Sequence, residues 1–195
     1  HISTGDMFRE AAAAGTALGK QAQEFMAAGA LVPDEVTIGM LLERIAQPDA
    51  AKGLMLDGFP RTIPQAEALD RALAGQGAQI DAVLYIQVPE AELVARLTGR
   101  WSCPNCGAIY HMQTKPPKAA GVCDECGGQL SQRADDQPAT VNARLETNRA
   151  WTEALAEFYG KQSKLHGIDG TGDPGAVTAR LLAALDTVSG RSGKA

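Results

Sequence analysis

The chain has 195 residues, of which 45% are hydrophobic and 21% are charged, and its formal net charge is −5. A chain of this size can bury a core, whereas the negative net charge argues against the dense basic surface that nucleic acids and membrane surfaces attract. No run of about 18 apolar residues and no basic-apolar leader is found, so the sequence predicts a cytoplasmic protein without a membrane partner.

Short apolar runs alternate with helical patterns along most of the chain. Apolar residues at helical spacing predict helices over residues 34–46, 64–75, 89–99, 138–159 and 174–185. Short apolar segments predict strands over residues 53–56, 82–88 and 165–169. This alternation predicts an α/β fold with a parallel sheet covered by helices, and the tail 189–195 is predicted to lack regular structure.

The segment Asp57–Thr62 follows the first predicted strand directly. Ligands of α/β proteins bind beyond the carboxyl ends of such strands. Asp57 supplies a carboxylate for a hydrated cation, Gly58 permits close approach, and Arg61 carries a planar group that suits a phosphate. The segment therefore predicts a phosphate-handling site. The alternative is a strand-end turn with a surface ion pair between Asp57 and Arg61.

All four cysteines lie in one stretch, as the pairs Cys103-x2-Cys106 and Cys123-x2-Cys126. This is the spacing of paired zinc knuckles, and four thiolates fill a tetrahedral shell, so the sequence predicts a structural zinc ion. Two disulfides or four free thiols are the alternatives. Helical periodicity disappears from 100 to 136, which predicts an inserted small domain held by the metal, with His111 outside the ligand set.

Arginines bracket this insertion and could supply the local positive charge that an anionic ligand needs in an acidic protein. Arg96 and Arg100 are four residues apart and share one face of the helix that leads into it. Arg133 leaves the insertion, and Arg144 lies in the long helix that follows. Each arginine alone is typical of a solvated surface. Taken together, and with Arg9 and Arg61 elsewhere in the chain, they predict a converging clamp.

Several motifs in order resemble the adenylate kinase family, which moves a phosphoryl group between ATP and AMP. They are Ile2–Met7, Arg9, Asp57–Thr62 and Pro64–Ala68, and the likeness covers essentially residues 1–186. The resemblance implies a monomer with a sheet of the P-loop kinase type. It also implies a core domain over 1–98 and 137–195, an AMP-binding flap over 3–32 within it, and an inserted zinc-knuckle lid over 99–136.

The resemblance also implies roles for individual residues. Thr4, Arg9, Arg61 and Gln65 match the AMP site, where the arginines grip the phosphate and Gln65 reads the adenine edge. An amide suits that edge because it offers a donor and an acceptor together. Three further positions line the same pocket, namely Met26, Val32 and Gly58.

The remaining implied roles concern ATP and the transferred group. Arg96 and Arg133 match arginines on the ATP side, and Arg100 and Arg144 match those that bridge to the transferred phosphoryl, with Arg100 also counted among the ATP-binding residues. Asp57 matches the carboxylate that holds Mg²⁺ with ATP through water. The predicted catalytic set is Arg61, Arg96, Arg100, Arg133, Arg144 and Asp57. Asp135 and Asp136 stay outside it, because acidic residues before a helix also favour its positive end.

One family motif is missing from the 195 residues. No G-x-x-x-x-G-K-[ST] phosphate loop occurs between a strand and a helix, and the chain begins at His1, which leads us to expect that the family's first strand and loop are absent from this chain. The expected function of the complete protein is ATP + AMP = 2 ADP. The alternatives are a loopless AMP-binding pseudokinase or inactive fragment, and a zinc-held interaction module. A kinase for UMP, CMP or GMP is disfavoured by Gln65.

Overall fold

The computed structural model describes residues 1–192, which divide into two compact units. The first unit contains His1–Gln23, Val32–Val88 and the chain from Asn148 onward. The second unit contains Glu24–Leu31 and Pro89–Thr147. The helices and strands, in chain order, are β1 (Ile2–Ser3), α1 (Thr4–Ala13), α2 (Ala17–Ala27), α3 (Asp34–Ile45), β2 (Leu56–Asp57), α4 (Ile63–Ala74), β3 (Val83–Gln87), α5 (Glu90–Thr98), β4 (Arg100–Ser102), β5 (Ile109–His111), α6 (Pro138–Lys161), β6 (Leu165–Asp169) and α7 (Pro174–Ser192).

The strands of the first unit form two parallel pairs. β1 pairs with β2, and β3 pairs with β6 in a register that sets Val83 opposite Leu165. Parallel strands with intervening helices confirm the predicted α/β class. The strand predicted at 53–56 is shorter and lies later in the chain, at Leu56–Asp57, because β1 offers only two residues for pairing.

The predicted helices are all present, but two further helices and one extension were not predicted. α1 and α2 occupy a segment rich in alanine, where few large side chains mark a buried face. α7 continues to Ser192, so the predicted irregular tail is wrong for residues 189–192. Residues 193–195 lie outside the described residues.

The core of the first unit is built by α3, α4 and the short strands. Leu41 and Ile45 are one helical turn apart on α3, and Leu69 and Leu73 are one turn apart on α4, so each helix buries one face. Ile2 and Phe59 complete the cluster of buried side chains. Burial of each large apolar side chain contributes about 1.5–3 kcal/mol. The packed ends of α3 and α4 position the motif that begins at Asp57.

Tyr159 of α6 carries a buried hydroxyl with no hydrogen-bond partner among the described residues. Burial raises the pKa of Tyr159 to about 12, so its proton stays bound at neutral pH. Because an unsatisfied buried polar group costs about 1–3 kcal/mol, we expect Tyr159→Phe to raise the free energy of unfolding by about 1 kcal/mol, measured by urea denaturation. A less stable variant would show that the hydroxyl has a partner.

The second unit has a small core of its own around the antiparallel pair of β4 and β5. The buried residues are Cys103, Tyr110, Cys123 and Leu130. Each cysteine pair lies in a tight turn, in which the Gly107 amide donates to the Cys103 carbonyl and the Gly127 amide donates to the Cys123 carbonyl, both at 2.9 Å. Both glycines have positive φ, 75° and 71°, a conformation that these turns require and side chains disfavour.

Candidate functional site

The four cysteine sulfurs of the second unit form one cluster. All four Sγ atoms lie within 4.8 Å of one another, with Cys103 3.4 Å from Cys126 and Cys106 3.5 Å from Cys123. A disulfide needs about 2.05 Å between its sulfurs, so no disulfide joins any of these four cysteines. Tetrahedral Zn–S bonds of about 2.3 Å set the sulfurs about 3.8 Å apart. The donor set therefore fits a zinc ion.

Tyr110 supports this cluster from the core of the unit. The backbone amide of Asp124 donates to Tyr110 Oη at 2.7 Å, which leaves the phenol proton for Cys123 Sγ at 3.5 Å. This hydrogen bond lowers the pKa of Cys123 to about 6, which favours the thiolate that a metal needs. The pKa of Cys103 is lowered as well, whereas neighbouring thiols raise the pKa of Cys106 to about 12 and that of Cys126 above its usual value, so a bound cation would displace the protons of these two thiols.

His111 lies beside the cluster in sequence but belongs to a different network. Its Nδ1 accepts from the amides of Gln113 and Thr114 at 3.2 and 3.3 Å, and its Nε2 lies 3.2 Å from the Ala95 carbonyl oxygen. Both ring nitrogens are engaged with backbone groups. His111 therefore connects β5 to the end of α5.

The segment after β2 brings three predicted site residues of the first unit to one carbonyl. The Gly58 oxygen accepts from Thr4 Oγ1 at 3.0 Å and from Arg61 Nε at 2.8 Å. Gly58 has a φ of 71°, and a Cβ at this position would lie 3.0 Å from Arg61 Nη2 and 3.3 Å from Thr4 Oγ1. Asp57 ends β2 with 66% of its side chain exposed, and its carboxylate lies 3.8 Å from the imidazole of His1.

Gln65 joins the same segment from the first turn of α4. Its Oε1 accepts from the backbone amide of Arg61 at 2.8 Å, and its Nε2 donates to Asp34 Oδ1 at 2.7 Å. The other oxygen of Asp34 accepts from Thr62 Oγ1 at 2.9 Å. Gln65 is only 2% exposed, so in this conformation its amide serves neighbouring groups of the protein. Asp34 is not among the site residues predicted from the sequence, because its place at the start of α3 is typical of an acid at a helix N-terminus.

The other residues predicted for the same ligand lie on separate elements. Arg9 of α1 pairs with Asp6 at 2.5 Å, an ion pair between partly exposed side chains. Val32 is buried in the first unit. Met26 is half-buried on the part of α2 that belongs to the second unit.

Two of the predicted arginines in the second unit meet on adjacent carboxylates. Arg100 donates to both oxygens of Asp136, from Nε at 2.8 Å and from Nη2 at 2.5 Å. Arg144 donates from Nη1 to Asp135 Oδ2 at 3.1 Å and to the Asp135 carbonyl at 2.9 Å, and lies 3.9 Å from Asp136 Oδ1. Asp136 is 0% exposed. The hydrogen bonds to this carboxylate raise the pKa of Arg100 above its usual value.

The acidic pair that sequence analysis set aside therefore holds two predicted site residues in position. A fully buried carboxylate is costly unless it is paired, and the two arginines supply that pairing. Arg96 pairs one turn away with Glu92 on α5. Arg133 directly precedes the short 3-10 helix Ala134–Asp136.

Among residues 1–192, no helix is both long enough and apolar enough to cross a membrane.

Comparison with known proteins identifies one family. The family model described as adenylate kinase matches residues 1–164. Similar relatives include the adenylate kinase of Desulforudis audaxviator, 55% identical over 185 residues, which are 95% of this chain and 86% of the relative. The adenylate kinase of Lysinibacillus sphaericus is 55% identical over 187 residues, and that of Archaeoglobus fulgidus is 51% identical over 187 residues, each covering 96% of this chain and 86% of the relative.

Proposed function

This chain belongs to the adenylate kinase family. On this basis we propose which of its residues bind AMP, which bind ATP and which bind metal. The protein is a phosphotransferase of that family, and its reaction is ATP + AMP = 2 ADP. Phosphoryl transfer needs reactants held in line and cations placed where charge spreads in the transition state. The cluster of Thr4, Gly58, Arg61 and Gln65 in the first unit is the observation that supports the assignment most directly.

The AMP site comprises this cluster together with Arg9, Met26 and Val32. Arg61 grips the AMP phosphate with a guanidinium whose Nε is held by the Gly58 carbonyl, and a group oriented in advance loses less entropy on binding. Arg9 supplies a second positive charge. Gln65 reads the base with the donor and the acceptor that its internal hydrogen bonds leave unused. Because Gln65 is buried, the base reaches it when the predicted flap 3–32 moves.

The ATP side comprises Arg96, Arg100 and Arg133, and Arg144 joins them in the catalytic set. Arg100 and Arg144 bridge to the transferred phosphoryl group, and the carboxylates of Asp135 and Asp136 support that role by fixing both guanidinium groups before the ligand arrives. Cations held in this way stabilise the transition state without reorganising during the reaction. The exposed carboxylate of Asp57 would hold Mg²⁺ through water, as the hard oxygen ligands of that ion require.

The cysteine cluster would hold a structural zinc ion in the predicted lid 99–136. Four thiolates complete the coordination shell and leave no position for a reacting water. The metal therefore stabilises the fold of the insertion, and closure of the insertion over ATP would exclude water from the reaction. We assign the protein to the cytoplasm as a monomer with ATP, AMP and ADP as its ligands.

Replacement of Arg61 tests the AMP site. In the full-length protein, Arg61→Ala should raise the KM for AMP at least about tenfold and change kcat less, because a charge-assisted hydrogen bond to phosphate contributes about 1.5–3 kcal/mol to binding. Steady-state kinetics with AMP varied at saturating ATP measures this split. Arg71→Ala is the matched control, since it removes an arginine from α4 whose side chain is 72% exposed.

Two results would contradict the assignment. One is a fall in kcat with an unchanged KM for AMP, which would move Arg61 to the transfer step. The other is an equal effect of Arg71→Ala, which would indicate a response to net charge alone.

A further inference from the structure

The side-chain amide of Gln65 is held in one of its two orientations. The Arg61 amide can only donate, and it lies 2.8 Å from Oε1. The Asp34 carboxylate can only accept when ionised, and its Oδ1 lies 2.7 Å from Nε2. A rotation of the amide by about 180° would set the nitrogen against the N–H group and the oxygen against the carboxylate, and both hydrogen bonds would be lost.

Asp34 is itself held in place by α4. Its Oδ2 accepts from Thr62 Oγ1 at 2.9 Å, and Thr62 is the N-cap of α4, where the same hydroxyl accepts from the backbone N–H of Gln65 at 3.3 Å. The carboxylate therefore connects the start of α3 to the first turn of α4 through both of its oxygens. The preference for acids at a helix N-terminus does not by itself explain the two hydrogen bonds of Asp34. Glu35 lies in the same first turn of α3 and is exposed.

The orientation of this amide matters for the purine that it reads. After its two internal hydrogen bonds, Gln65 retains one N–H donor and one acceptor position on Oε1. Adenine presents an amino donor beside the N1 acceptor. A 6-oxopurine such as hypoxanthine presents the reverse, an oxygen acceptor beside an N1–H donor. One orientation of the amide matches the first pattern, and the flipped orientation matches the second.

We propose that Asp34 is a positioning residue that fixes the Gln65 amide and thereby makes the monophosphate site select 6-aminopurines over 6-oxopurines. This inference rests on the proposed function, in which Gln65 contacts the base. Asp34 touches no substrate in this role. It acts through the hydrogen bond to Gln65 Nε2, and without that bond the hydrogen bond from the backbone amide of Arg61 is the one that remains to the side-chain amide among the described residues.

The test compares AMP with inosine monophosphate, which differs from AMP in the 6-substituent and the N1 proton, with ATP as the phosphoryl donor. The measured quantity is the ratio of kcat/KM for AMP to kcat/KM for inosine monophosphate in the full-length protein. Asp34→Asn removes the obligate acceptor, and Asp34→Ala removes both oxygens without adding a donor. Asp34→Glu keeps a carboxylate, and Glu35→Gln removes one negative charge from the same turn of α3.

We expect Asp34→Asn and Asp34→Ala each to lower the ratio about tenfold or more, chiefly through a higher KM for AMP and a lower KM for inosine monophosphate. Asp34→Glu should recover most of the ratio, and Glu35→Gln should leave it unchanged. In a Gln65→Ala background, Asp34→Ala should not lower the ratio further, because the amide that it positions is absent.

A purely structural role gives a different result. If both Asp34 variants melt at lower temperature while the ratio stays at its original value, the inference is wrong. If one of these two variants fails to fold, the ratio measured in the other decides. If both fail to fold while Asp34→Glu keeps the original ratio and stability, Asp34 serves stability alone. The single variant Gln65→Ala tests the proposed function separately from this inference. An unchanged ratio in that variant would contradict the proposed contact between Gln65 and the base.

Discussion

Arg144→Ala should reduce kcat by about two to three orders of magnitude while the affinity for AMP changes by less than about threefold. Arg144 is proposed to meet charge that develops during transfer, and its guanidinium is fixed by Asp135 at 3.1 Å before any ligand arrives. The loss therefore falls on the transition state more than on the ground state. Single-turnover kinetics and AMP titration in the full-length protein separate the two effects.

Two companion variants sharpen this measurement. Arg144→Lys retains a positive charge without the planar fork and should recover only part of the rate. Arg149→Ala removes an arginine from the same helix, α6, at an exposed position and should leave kcat unchanged. Loss of AMP affinity as large as the loss of turnover would mean that Arg144 belongs to the AMP site instead.

Cys103→Ser should remove the bound metal and lower the melting temperature of the second unit by about 10 °C or more. The wild-type protein should contain one zinc ion per chain by elemental analysis. The effect is large because the cluster around β4 and β5 is small: besides two of the cysteines, its buried residues are Tyr110 and Leu130. Without the ion, so little buried surface does not offset the conformational entropy of the unit.

The zinc prediction has a chemical control and a sequence control. A chelator added to the wild-type protein should reproduce the effect of Cys103→Ser, and readdition of zinc should reverse it. Lys118→Ser changes an exposed loop position between the two cysteine pairs and should leave both zinc content and melting unchanged. Metal-replete protein that contains no zinc and whose four thiols titrate freely would refute the assignment.

Elements with a wide apolar face could be predicted from the sequence. α4 has an N-cap at Thr62, buried residues at Leu69 and Leu73, and an end at Gly75, so both its existence and its bounds follow from local signals. α1 and α2 lack a repeated apolar face, because Phe8 is the one large apolar side chain among their four buried residues, and Thr4, Gly19 and Ala22 carry little apolar surface. Tertiary packing orders these two helices, and periodicity does not reveal it.

The residues of the candidate site also divide into those that the sequence predicted and those that it did not. The cysteines were found because their spacing alone brings them together, and the sulfur cluster agrees with that spacing. The contact of Asp34 with Gln65 spans 31 residues, and that of Asp136 with Arg100 spans 36. Local patterns carry no information on pairings at that distance, and both acids sit where a helix start already accounts for a negative charge. The structure was needed to identify them.

Hydrogen bonds close the base of the predicted insertion 99–136. Gln132 Nε2 donates to the Thr98 carbonyl at 2.7 Å, Ser102 and Ser131 exchange backbone hydrogen bonds at 2.9 Å, and Asp136 binds Arg100. The chain thus leaves and rejoins the rest of the second unit at adjoining points. Since the entropy of closing a loop grows only slowly with its length, the stretch between Ser102 and Ser131 can be lengthened or shortened at little cost in stability. A change in the length or in the cross-link of this stretch would therefore leave Arg100 in place beside Asp136.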